Sequence, residues 1–492
     1  MKRSSSSSKN SGDQITDVLE IFLPEKAASS SKARQKQWNK HLARLAKQLP
    51  GEVSLSPDVC KKYSGDKWFA SALPDAVALP QNTGSVAKIL SFATQHKIPV
   101  TARGAGFGYV GSCVPILGGI VLSLERMNKI KEISAEDFVA VVQPGVLTAQ
   151  LQDAAEKLKL FYPPDPASRS DCSLGGNIAT NAGGPRCLKY GVTRDYVLGL
   201  EVVLADGSVV KLGGRTHKNK TGFDLHRLFV GSEGMLGIVT EATLKLLPLP
   251  PSRAALSIGF RRMGDAARAI QSVFRAGYLP SAVEVADAFT LQSAQKRTGS
   301  SLFSGCGAHL IVELDGQETS VRGEARSLAK LVRAFKPVFV HQAMGAKDCE
   351  KIWQVRREFS YGLRDTGLTK LNQDIVVPRG RLEDLFQFAE RLKKRHRFPI
   401  ACFGHAGDGN IHVNVMIDLN EPGVLVRSNA ALDELFRQVL AWDGVITGEH
   451  GIGIARMPWW PSAASSEVRR LHSTIKQAMD PHGILNPGKF VE

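Results

Sequence analysis

The sequence predicts an α+β protein with at least two domains, and three observations support this prediction. The chain has 492 residues, whereas a single hydrophobic core stops growing at roughly 250–300 residues. Its first half contains short apolar strands separated by glycine-rich loops. Beyond the prolines at 248, 250 and 251, strands alternate with amphipathic helices, a pattern that predicts an antiparallel sheet with helices on one face.

The elements of the first half follow from periodicity and turn residues. A helix near residue 36 is predicted because apolar side chains recur at helical spacing, at Trp38, Leu42, Leu45 and Leu49. A second helix begins near Thr83, a candidate N-cap, and leads into a strand over 98–102. Further strands are predicted over 120–124, 138–143, 201–205 and 238–246. Asp206-Gly207 predicts a hairpin from the third of these into 208–212.

The second half repeats a strand followed by a helix. Strands are predicted over 256–260, 309–314 and 375–377, and each precedes a segment whose apolar residues lie on one helical face. A last helix near 468–479 precedes the turn Asn486-Pro487-Gly488. The proline cluster marks a domain boundary, which separates a first part over 36–250 from a second part that begins at residue 251.

Charge and cysteine content restrict the class of protein. The net charge is +16, which favours anionic partners. A small anionic molecule is favoured over nucleic acid, because no aromatic-interleaved basic stripe or nucleic-acid motif is present. The seven cysteines are scattered and contain no C-x-x-C pair. This pattern argues against a disulfide framework, a zinc ribbon and an iron–sulfur cluster, and it predicts a reducing compartment, the cytoplasm.

The N-terminus and one uncharged stretch bear on targeting. Residues 1–35 are Ser-rich and basic and predict a mobile tail, and Asp13, Asp17 and Glu20 argue against a transit peptide. Whether the tail directs the protein elsewhere stays open. The stretch 104–124 has no charge over 21 residues but contains six glycines and Pro115. It predicts a glycine loop and a strand, no transmembrane helix, and peripheral association with the inner face of a membrane stays open.

Glycine-dense loops are the most distinctive feature of the first half. Residues 106–111 match G-x-G-x-x-G, but Pro115, Gly118 and Gly119 follow where a dinucleotide-binding motif opens a helix, so a nicotinamide cofactor is rejected. Nearly uncharged glycine loops recur at 103–111, 144–145, 175–184 and 231–237. Because glycine lets backbone amides approach a phosphate closely, several such loops predict a large, pyrophosphate-bearing ligand.

Histidines and a carboxylate flank two further glycine turns. His405 and His412 stand on either side of Gly-Asp-Gly-Asn, and Glu449-His450 lies between glycines. On a straight strand residues seven apart face opposite ways, so only a tight turn between them brings both rings together. Two histidines and one glutamate with an open position are a ligand set for a catalytic divalent metal. Either motif alone is also explained by hydrogen bonding within a turn.

These segments together resemble a known family. Val100–Gly106, Pro163–Ser168, Cys172–Gly184 and Gly231–Val239 resemble the FAD-binding domain of the vanillyl-alcohol-oxidase superfamily. Within it the chain is similar to the FAD-linked D-2-hydroxy-acid dehydrogenases, which include glycolate oxidase, D-lactate dehydrogenase and D-2-hydroxyglutarate dehydrogenase. The similarity runs from about residue 45 to the C-terminus and includes Asn486-Pro-Gly-Lys489.

The resemblance implies a two-part FAD-binding domain over 36–250, completed by the returning segment 456–492, and an α+β substrate domain over 251–455. It implies non-covalent FAD, because the first glycine loop lacks the histidine through which some relatives attach the flavin. The implied FAD-binding residues are Arg103, Gly104, Ala105, Gly106, Gly108, Pro144, Gly145, Pro164, Asp165, Ser173, Gly176, Asn177, Thr180, Asn181, Gly183, Gly184, Ile238 and Asn486.

By the same resemblance, His405, His412 and Glu449 are the ligands of a divalent metal, zinc or manganese, and His450 is the catalytic base. Arg356, Lys370 and Asn414 are the substrate-binding residues, with Arg356 favoured over its neighbour Arg357 by its spacing to Trp353. Arginine grips a carboxylate with two donors, whereas lysine supplies a point charge.

The expected reaction is the oxidation of a small D-2-hydroxy acid by hydride transfer to FAD. Glycolate and D-lactate are favoured, and D-2-hydroxyglutarate stays open. Because the sequence shows no haem or cluster ligands, the reduced flavin is expected to pass its electrons to oxygen, a quinone, a cytochrome, an electron-transfer flavoprotein or an iron–sulfur subunit. Two alternatives are a non-redox FAD transferase resembling alkyl-dihydroxyacetone-phosphate synthase and, on charge alone, a nucleic-acid-binding protein.

Overall fold

The computed structural model describes residues 32–491, with side chains from residue 37 onward. The predicted mobile tail over 1–35 lies almost entirely outside the described residues. The α+β prediction is confirmed. The helices are α1 Lys32–Gln48, α2 Pro57–Lys62, α3 Thr83–His96, α4 Thr148–Lys157, α5 Leu174–Thr180, α6 Cys187–Tyr190, α7 His226–Phe229, α8 Met263–Arg275, α9 Ala288–Thr298, α10 Glu318–Arg333, α11 Ala346–Arg364, α12 Leu382–His396, α13 Val424–Ala441, α14 Trp460–Ala463 and α15 Ser466–Met479.

The first sheet has four strands in the order β1-β2-β4-β3, and its last three strands run parallel. They are β1 Val53–Ser54, β2 Ala76–Ala78, β3 Val100–Arg103 and β4 Ile120–Ser123. Helices α1 and α3 cover this sheet with the predicted apolar residues, Trp38, Leu42 and Leu45 among them. Asn82, rather than Thr83, caps α3, because its side chain accepts the backbone N–H of Ser85.

The second sheet has five antiparallel strands in the order β5-β6-β10-β8-β9. They are β5 Ile130–Ser134, β6 Val139–Val142, β8 Val197–Val203, β9 Val209–Gly213 and β10 Ile238–Lys245, and a separate two-stranded sheet joins β7 Leu160–Phe161 to β11 Leu247–Pro248. The predicted hairpin at Asp206-Gly207 connects β8 to β9. Strand β10 alternates buried and half-buried residues along its length, which explains why its period was readable from the sequence.

The third sheet has seven antiparallel strands in the order β15-β12-β14-β13-β17-β18-β16. They are β12 Ser252–Phe260, β13 Ala282–Asp287, β14 Ala308–Gly316, β15 Phe339–Met344, β16 Thr369–Val376, β17 Ile400–His405 and β18 Asn410–Ile417. Helices α8, α10, α12 and α13 pack on one face. The expectation of helices on one face alone is wrong, because α9 and α11 cover the other. Residues of both faces are buried, so the strands lack the polar alternation of a half-exposed sheet.

The C-terminal segment returns to the first sheet, as expected. Val100 donates its N–H to Ile484 at 2.7 Å, and Asn486 donates to Val100 at 2.7 Å. Ile484 and Leu485 join the same core cluster as α1 and α3. All seven cysteines are free. None of the helices described between residues 32 and 491 is long and apolar enough to span a bilayer.

Candidate active site

One large cavity lies between the glycine loops of the first half and the seven-stranded sheet. Its volume is about 1780 Å³, which exceeds the roughly 300–1,000 Å³ of a site for one drug-sized ligand. Both halves line it: Gly104–Gly108 and Gly176–Asn177 on one side, and His405, His412 and Glu449 on the other. The size fits a large cofactor together with a substrate.

Twelve of the eighteen expected FAD-binding residues line this cavity. They are Arg103, Gly104, Ala105, Gly106, Gly108, Asp165, Ser173, Gly176, Asn177, Thr180, Gly183 and Ile238. Their loops leave no room for side chains: a Cβ on Gly104 would lie 2.5 Å from Ser173 Oγ, and Ala105 donates its N–H to that same oxygen at 3.1 Å. The glycines therefore form a cradle of main-chain groups, which fits the pyrophosphate of FAD.

The other six expected residues are not part of the cavity wall. Asn181 accepts the N–H of Arg194, and Asn486 donates to the carbonyls of Ser112 and Glu233. The remaining four lie behind the wall: Pro144, Gly145, Pro164 and Gly184. A Cβ on Gly145 would lie 2.5 Å from Leu124 O, and one on Gly184 would lie 2.6 Å from Asp165 O. The structure therefore places these residues as supports of the loops.

Strand register brings the two histidines together. Strands β17 and β18 form a hairpin in which Phe403 pairs with His412. Because His405 lies two residues beyond Phe403 on the same strand, its side chain shares a face with that of His412. Residues 406–409 form the tight turn that the sequence required. The neighbouring strands place a carboxylate beside each histidine, since Glu284 on β13 pairs with His405 and Asp374 on β16 pairs with His412.

The loop that carries Glu449 and His450 is held at both ends by buried carboxylates. Asp374 Oδ2 accepts the N–H groups of residues 448, 449 and 450 at 2.8–2.9 Å and the Thr447 hydroxyl at 3.0 Å. Beyond the loop, Glu233 accepts the N–H groups of Ile452 and Gly453 at 2.7 and 3.0 Å. Strand β16 and the glycine loop over 231–237 thus fix this segment from opposite sides of the cavity.

His405, His412 and Glu449 converge on one point. Glu449 Oε1 lies 3.8 Å from His405 Nε2 and 3.4 Å from His412 Nε2, and one ligand atom of each residue falls within a 4.8 Å cluster. His405 Nδ1 is hydrogen-bonded to Glu284, which leaves Nε2 for a ligand. Two imidazoles and one carboxylate are the donor set of a catalytic zinc site. The three residues therefore fit a divalent metal.

The charges of this cluster differ from residue to residue. Burial lowers the pKa of His412 to about 4, so its ring is neutral near pH 7, the form that binds a metal. Burial opposes the charge on His405, but Glu284 and Glu449 outweigh it and hold the His405 pKa well above its usual value. Burial likewise opposes the charge on Glu284, but His405 and Arg356 lower the Glu284 pKa to about 2.

His450 lies beside this cluster, with one ring nitrogen facing Glu449 and the other facing Asp374. Its Nε2 is 3.7 Å from Glu449 Oε1, and its Nδ1 is 3.8 Å from Asp374 Oδ2. The ring stacks between Tyr109 and His412, at centroid distances of 5.6 and 5.5 Å. Two aromatic neighbours and the clamped backbone fix the orientation of this imidazole at the cavity wall.

Two of the three expected substrate-binding residues line the cavity. Arg356 is largely buried and donates from Nε to Glu284 at 2.6 Å, whereas Arg357 is half-exposed and pairs with Glu350. Both arginines line the cavity, and Arg356 is the more buried of the two. Lys370 Nζ donates to Ser360 Oγ at 3.2 Å, and burial lowers the Lys370 pKa to about 8.

Asn414 does not reach the cavity. Its side chain is fully buried, its amide donates to the carbonyls of Ala401 and His412, and its Oδ1 accepts from Asn372. Its strand neighbour Asn372 does line the cavity, and the Oδ1 of Asn372 is buried without a hydrogen-bond partner. The register Asn372↔Asn414 places the two side by side, so the structure assigns Asn414 a supporting position.

Comparison with known proteins agrees with this architecture. Residues 74–213 match the FAD binding domain family, and residues 249–490 match the family of FAD linked oxidases, C-terminal domain. The glycolate oxidase subunit GlcD of Bacillus subtilis is 37% identical over 440 residues, covering 89% of this chain and 92% of that protein. The chain belongs to the FAD-linked oxidases. It is accordingly an FAD-dependent oxidoreductase, and FAD is its cofactor.

Other relatives extend the comparison. A D-lactate dehydrogenase of Anaerostipes hadrus is 33% identical, covering 90% of this chain and 95% of that protein. Among solved structures, 4-ethylphenol oxidase from Gulosibacter chungangensis has a TM-score of 0.75 at 19% identity, covering 95% and 98% of the two chains. An alkyldihydroxyacetonephosphate synthase has a TM-score of 0.71 at 19% identity, covering 90% of this chain and 84% of that one. Both solved structures share the fold.

Sequence reasoning missed Glu284, Asp374, Glu233 and Asn372. The signal for Asn372 and Asp374 was the alternation Lys370, Asn372, Asp374 along one strand, which puts three polar side chains on one face. Glu284 lies 121 residues before His405, and only the pairing of β13 with β17 joins them. No spacing in the sequence indicates that contact.

Proposed function

We propose that this FAD-linked oxidase converts a small D-2-hydroxy acid, glycolate or D-lactate in the first place, to the 2-oxo acid. The observation that supports this most directly is the single cavity shared by the glycine cradle, the cluster His405–His412–Glu449, and the base candidate His450. The names of the relatives, glycolate oxidase and D-lactate dehydrogenase, agree with this class of substrate.

The substrate carboxylate binds to Lys370, with the guanidinium of Arg356 beside it. Lys370 has one hydroxyl partner and no carboxylate partner among the described residues, so its charge is available to a ligand. Arg356 is held by Glu284 through Nε and presents its remaining donors to the cavity. Fixing the carboxylate at these cations orients the bond between Cα and hydrogen, and orientation of this kind lowers the barrier to reaction.

The hydroxyl proton of the substrate passes to Nε2 of His450. Its Nδ1 faces the carboxylate of Asp374, which stabilises the imidazolium that results, in the manner of the histidine and aspartate of a catalytic triad. Bound FAD supplies the hydride acceptor. His405, His412 and Glu449 would hold a divalent metal, with zinc favoured over manganese by the imidazole ligands. When bound, the metal would supply Lewis-acid polarisation of the substrate.

Anaerobic reduction of the flavin tests the reaction. Glycolate and D-lactate are expected to bleach the flavin absorbance without oxygen, and L-lactate is not. His450→Ala is expected to lower turnover by about 10²- to 10⁴-fold with the FAD content unchanged. His482→Ala, at an exposed histidine, is the matched control. A flavin that none of these acids reduces would instead favour a non-redox transferase, and unchanged turnover in His450→Ala would remove this residue from its role.

Metal removal tests the second part of the proposal. Dialysis against a chelator is expected to abolish turnover while FAD stays bound, and added zinc or manganese is expected to restore it. Glu449→Gln should lower the metal content of the purified protein. Full turnover in metal-free protein would contradict the proposal. The electron acceptor is proposed to be oxygen, a quinone, a cytochrome, an electron-transfer flavoprotein or an iron–sulfur subunit. Measuring how fast each re-oxidises the reduced enzyme decides among them.

A further inference from the structure

The cavity reaches solvent beside the C-terminal end of helix α11. Tyr361 and Arg364, in the last turn of this helix, both line the cavity and are both exposed. Tyr109, on the glycine loop of the other half of the chain, also lines the cavity, and its hydroxyl accepts a hydrogen bond from Arg364 Nη2 at 3.3 Å. We call these three side chains the mouth, because they stand where the cavity meets solvent.

Helix α11 carries a row of polar side chains from the mouth to the proposed substrate site. Arg356, Ser360 and Arg364 stand at i, i+4 and i+8, so they follow one another along one face of the helix, and all three line the cavity. A rise of about 1.5 Å per residue separates the two arginines by about 12 Å along the helix axis. Between them, Ser360 Oγ accepts Lys370 Nζ at 3.2 Å. Exposure falls inwards along the row, from Arg364 at the surface to Arg356, whose side chain is 13% exposed.

Arg364 has no carboxylate partner among the described residues. The acidic side chains close to it along the helix are paired with other cations: Glu350 with Arg357, and both Glu358 and Asp365 with Arg297. The acceptor of its Nη2 is the Tyr109 hydroxyl, which is a neutral group. A guanidinium forms stronger hydrogen bonds with a carboxylate than with a neutral acceptor. Arg364 is therefore available to an anion that arrives from solvent.

The charge of Arg364 also acts on the next cation of the row. Burial and, after it, the charge of Arg364 lower the pKa of Lys370 to about 8, so the two side chains lie within electrostatic range of each other. A carboxylate that leaves water for a buried site without a cation beside it incurs a large desolvation cost. A carboxylate that moves from Arg364 to Lys370 exchanges one cation for another and avoids that cost.

We propose that Arg364 is the entry cation of the substrate site, which binds the substrate carboxylate at the mouth and passes it to Lys370 and Arg356. This inference rests on the proposed function and deepens it. Arg364 acts before the chemical step and does not touch the reacting atoms, so it raises the rate of substrate capture and leaves hydride transfer unchanged. Salt screens the attraction of an exposed charge, whereas it screens contacts within a buried site much less.

A purely structural role for Arg364 predicts a different result. If the guanidinium only joins the two halves of the chain through the Tyr109 hydroxyl, Tyr109→Phe has the same effect as Arg364→Gln, and salt changes neither. If Arg364 captures the substrate, its charge alone matters. Tyr109→Phe then keeps the salt dependence of the wild type, and Arg364→Gln loses it.

The experiment measures anaerobic flavin reduction of the FAD-loaded enzyme by D-lactate, or by glycolate if that acid reacts faster, in a stopped-flow instrument. Ionic strengths of about 0.01 and 1 M give Debye lengths of about 30 and 3 Å. At low salt, Arg364→Gln should lower the second-order rate constant of reduction by about 10-fold and keep the limiting rate at saturating substrate within about twofold of the wild type. At high salt, the rate constants of the two proteins should converge. Arg364→Lys, which keeps the charge, should follow the wild type at both ionic strengths.

Arg326→Gln is the matched control, because it removes the same charge from an exposed arginine of α10 that does not line the cavity. Its rate constants should equal those of the wild type. The inference is overturned, and the proposed function stands, if Arg364→Gln has no larger effect than Arg326→Gln. The same holds if the loss persists undiminished at high salt or recurs in Tyr109→Phe. A wild-type flavin that no 2-hydroxy acid reduces overturns both.

Discussion

Arg186 links the two halves of the chain, and its replacement gives a quantitative test of the structure. Its Nε and Nη2 donate to Glu313 Oε1 at 3.0 and 2.8 Å, and Nη1 donates to Asp165. Glu313, on β14, is fully buried and also accepts Trp353 Nε1 at 2.6 Å. Removing the guanidinium in Arg186→Met leaves the buried carboxylate of Asp165 without its ion-pair partner, and it leaves Glu313 with Arg253 alone, whose Nη1 lies 4.0 Å from Glu313 Oε2.

The expected cost follows from the burial of these groups. Breaking a buried ion pair by removing one partner destabilises a protein by about 3–5 kcal/mol. The entropy of unfolding is about 2.1 cal/mol/K per residue, so 1 kcal/mol corresponds to roughly 1 °C for a chain of this length that unfolds as a unit. The midpoint of thermal unfolding should therefore fall by about 3–5 °C.

The loss of stability in Arg186→Met also depends on pH. Burial raises the pKa of Asp165 to about 6 although Arg186 opposes this, and removal of Arg186 raises it further. Between pH 7 and pH 5, Asp165 therefore binds a proton in the folded variant, whereas in the unfolded chain its ordinary pKa of 3.8 leaves it deprotonated. The free energy of unfolding of the variant consequently rises as the pH falls over this range. The difference between wild type and Arg186→Met should narrow over that range.

Thermal unfolding followed by tryptophan fluorescence is the assay, since Trp353 contacts Glu313 directly. Arg215→Met is the control, because Arg215 pairs with Glu132 and Asp137 at the exposed surface, and its midpoint should not change measurably. A midpoint for Arg186→Met within about 1 °C of the control at pH 7 would refute the assignment of a buried, costly pair. Neutralising Glu313 as well, in Arg186→Met/Glu313→Gln, should recover part of the loss.

Three further predictions concern other parts of the structure. Asp374→Asn should lower metal affinity by about 10- to 100-fold, because an amide oxygen cannot replace the carboxylate that accepts four hydrogen bonds from Thr447–His450. The measurement is the metal retained after dialysis, and unchanged retention would contradict this prediction. Gly106→Ala should reduce the FAD bound per chain after gel filtration, since φ is +72° there and a Cβ would lie 2.0 Å from Arg103 Nη2; full occupancy would contradict the close packing. Burial lowers the pKa of Lys489 from 10.5 to about 8. As the pH rises, Lys489 therefore loses its proton in the folded state before it does so in the unfolded chain. The free energy of unfolding should consequently rise by up to about 3 kcal/mol between pH 8 and 10.5. Lys489→Met should lack this rise in urea titrations, and an identical pH profile would show that the lysine is not buried as described.

Local sequence determined the parts of the site that depend on turns and short periods. The glycines at 104–108 and 175–176 predicted a main-chain cradle, because only glycine allows backbone and ligand to approach this closely. The turn at 406–409 predicted that His405 and His412 meet, since a hairpin reverses the strand and returns the second ring to the face of the first. Glu449 and His450 were candidates because they are adjacent and lie between glycines, and the family resemblance implied their roles. All of these depend on residues close together in the chain.

Tertiary structure decided which groups surround these residues. Glu284 reaches His405 because β13 lies beside β17. Asp374 reaches the loop of His450 because Val376, two residues further along β16, pairs with Val445 just before that loop. Asn414 was expected in the substrate site, but its strand neighbour Asn372 occupies the cavity wall. Strand order and register determine these contacts, and both result from the packing of the whole chain rather than from the spacing of residues within it.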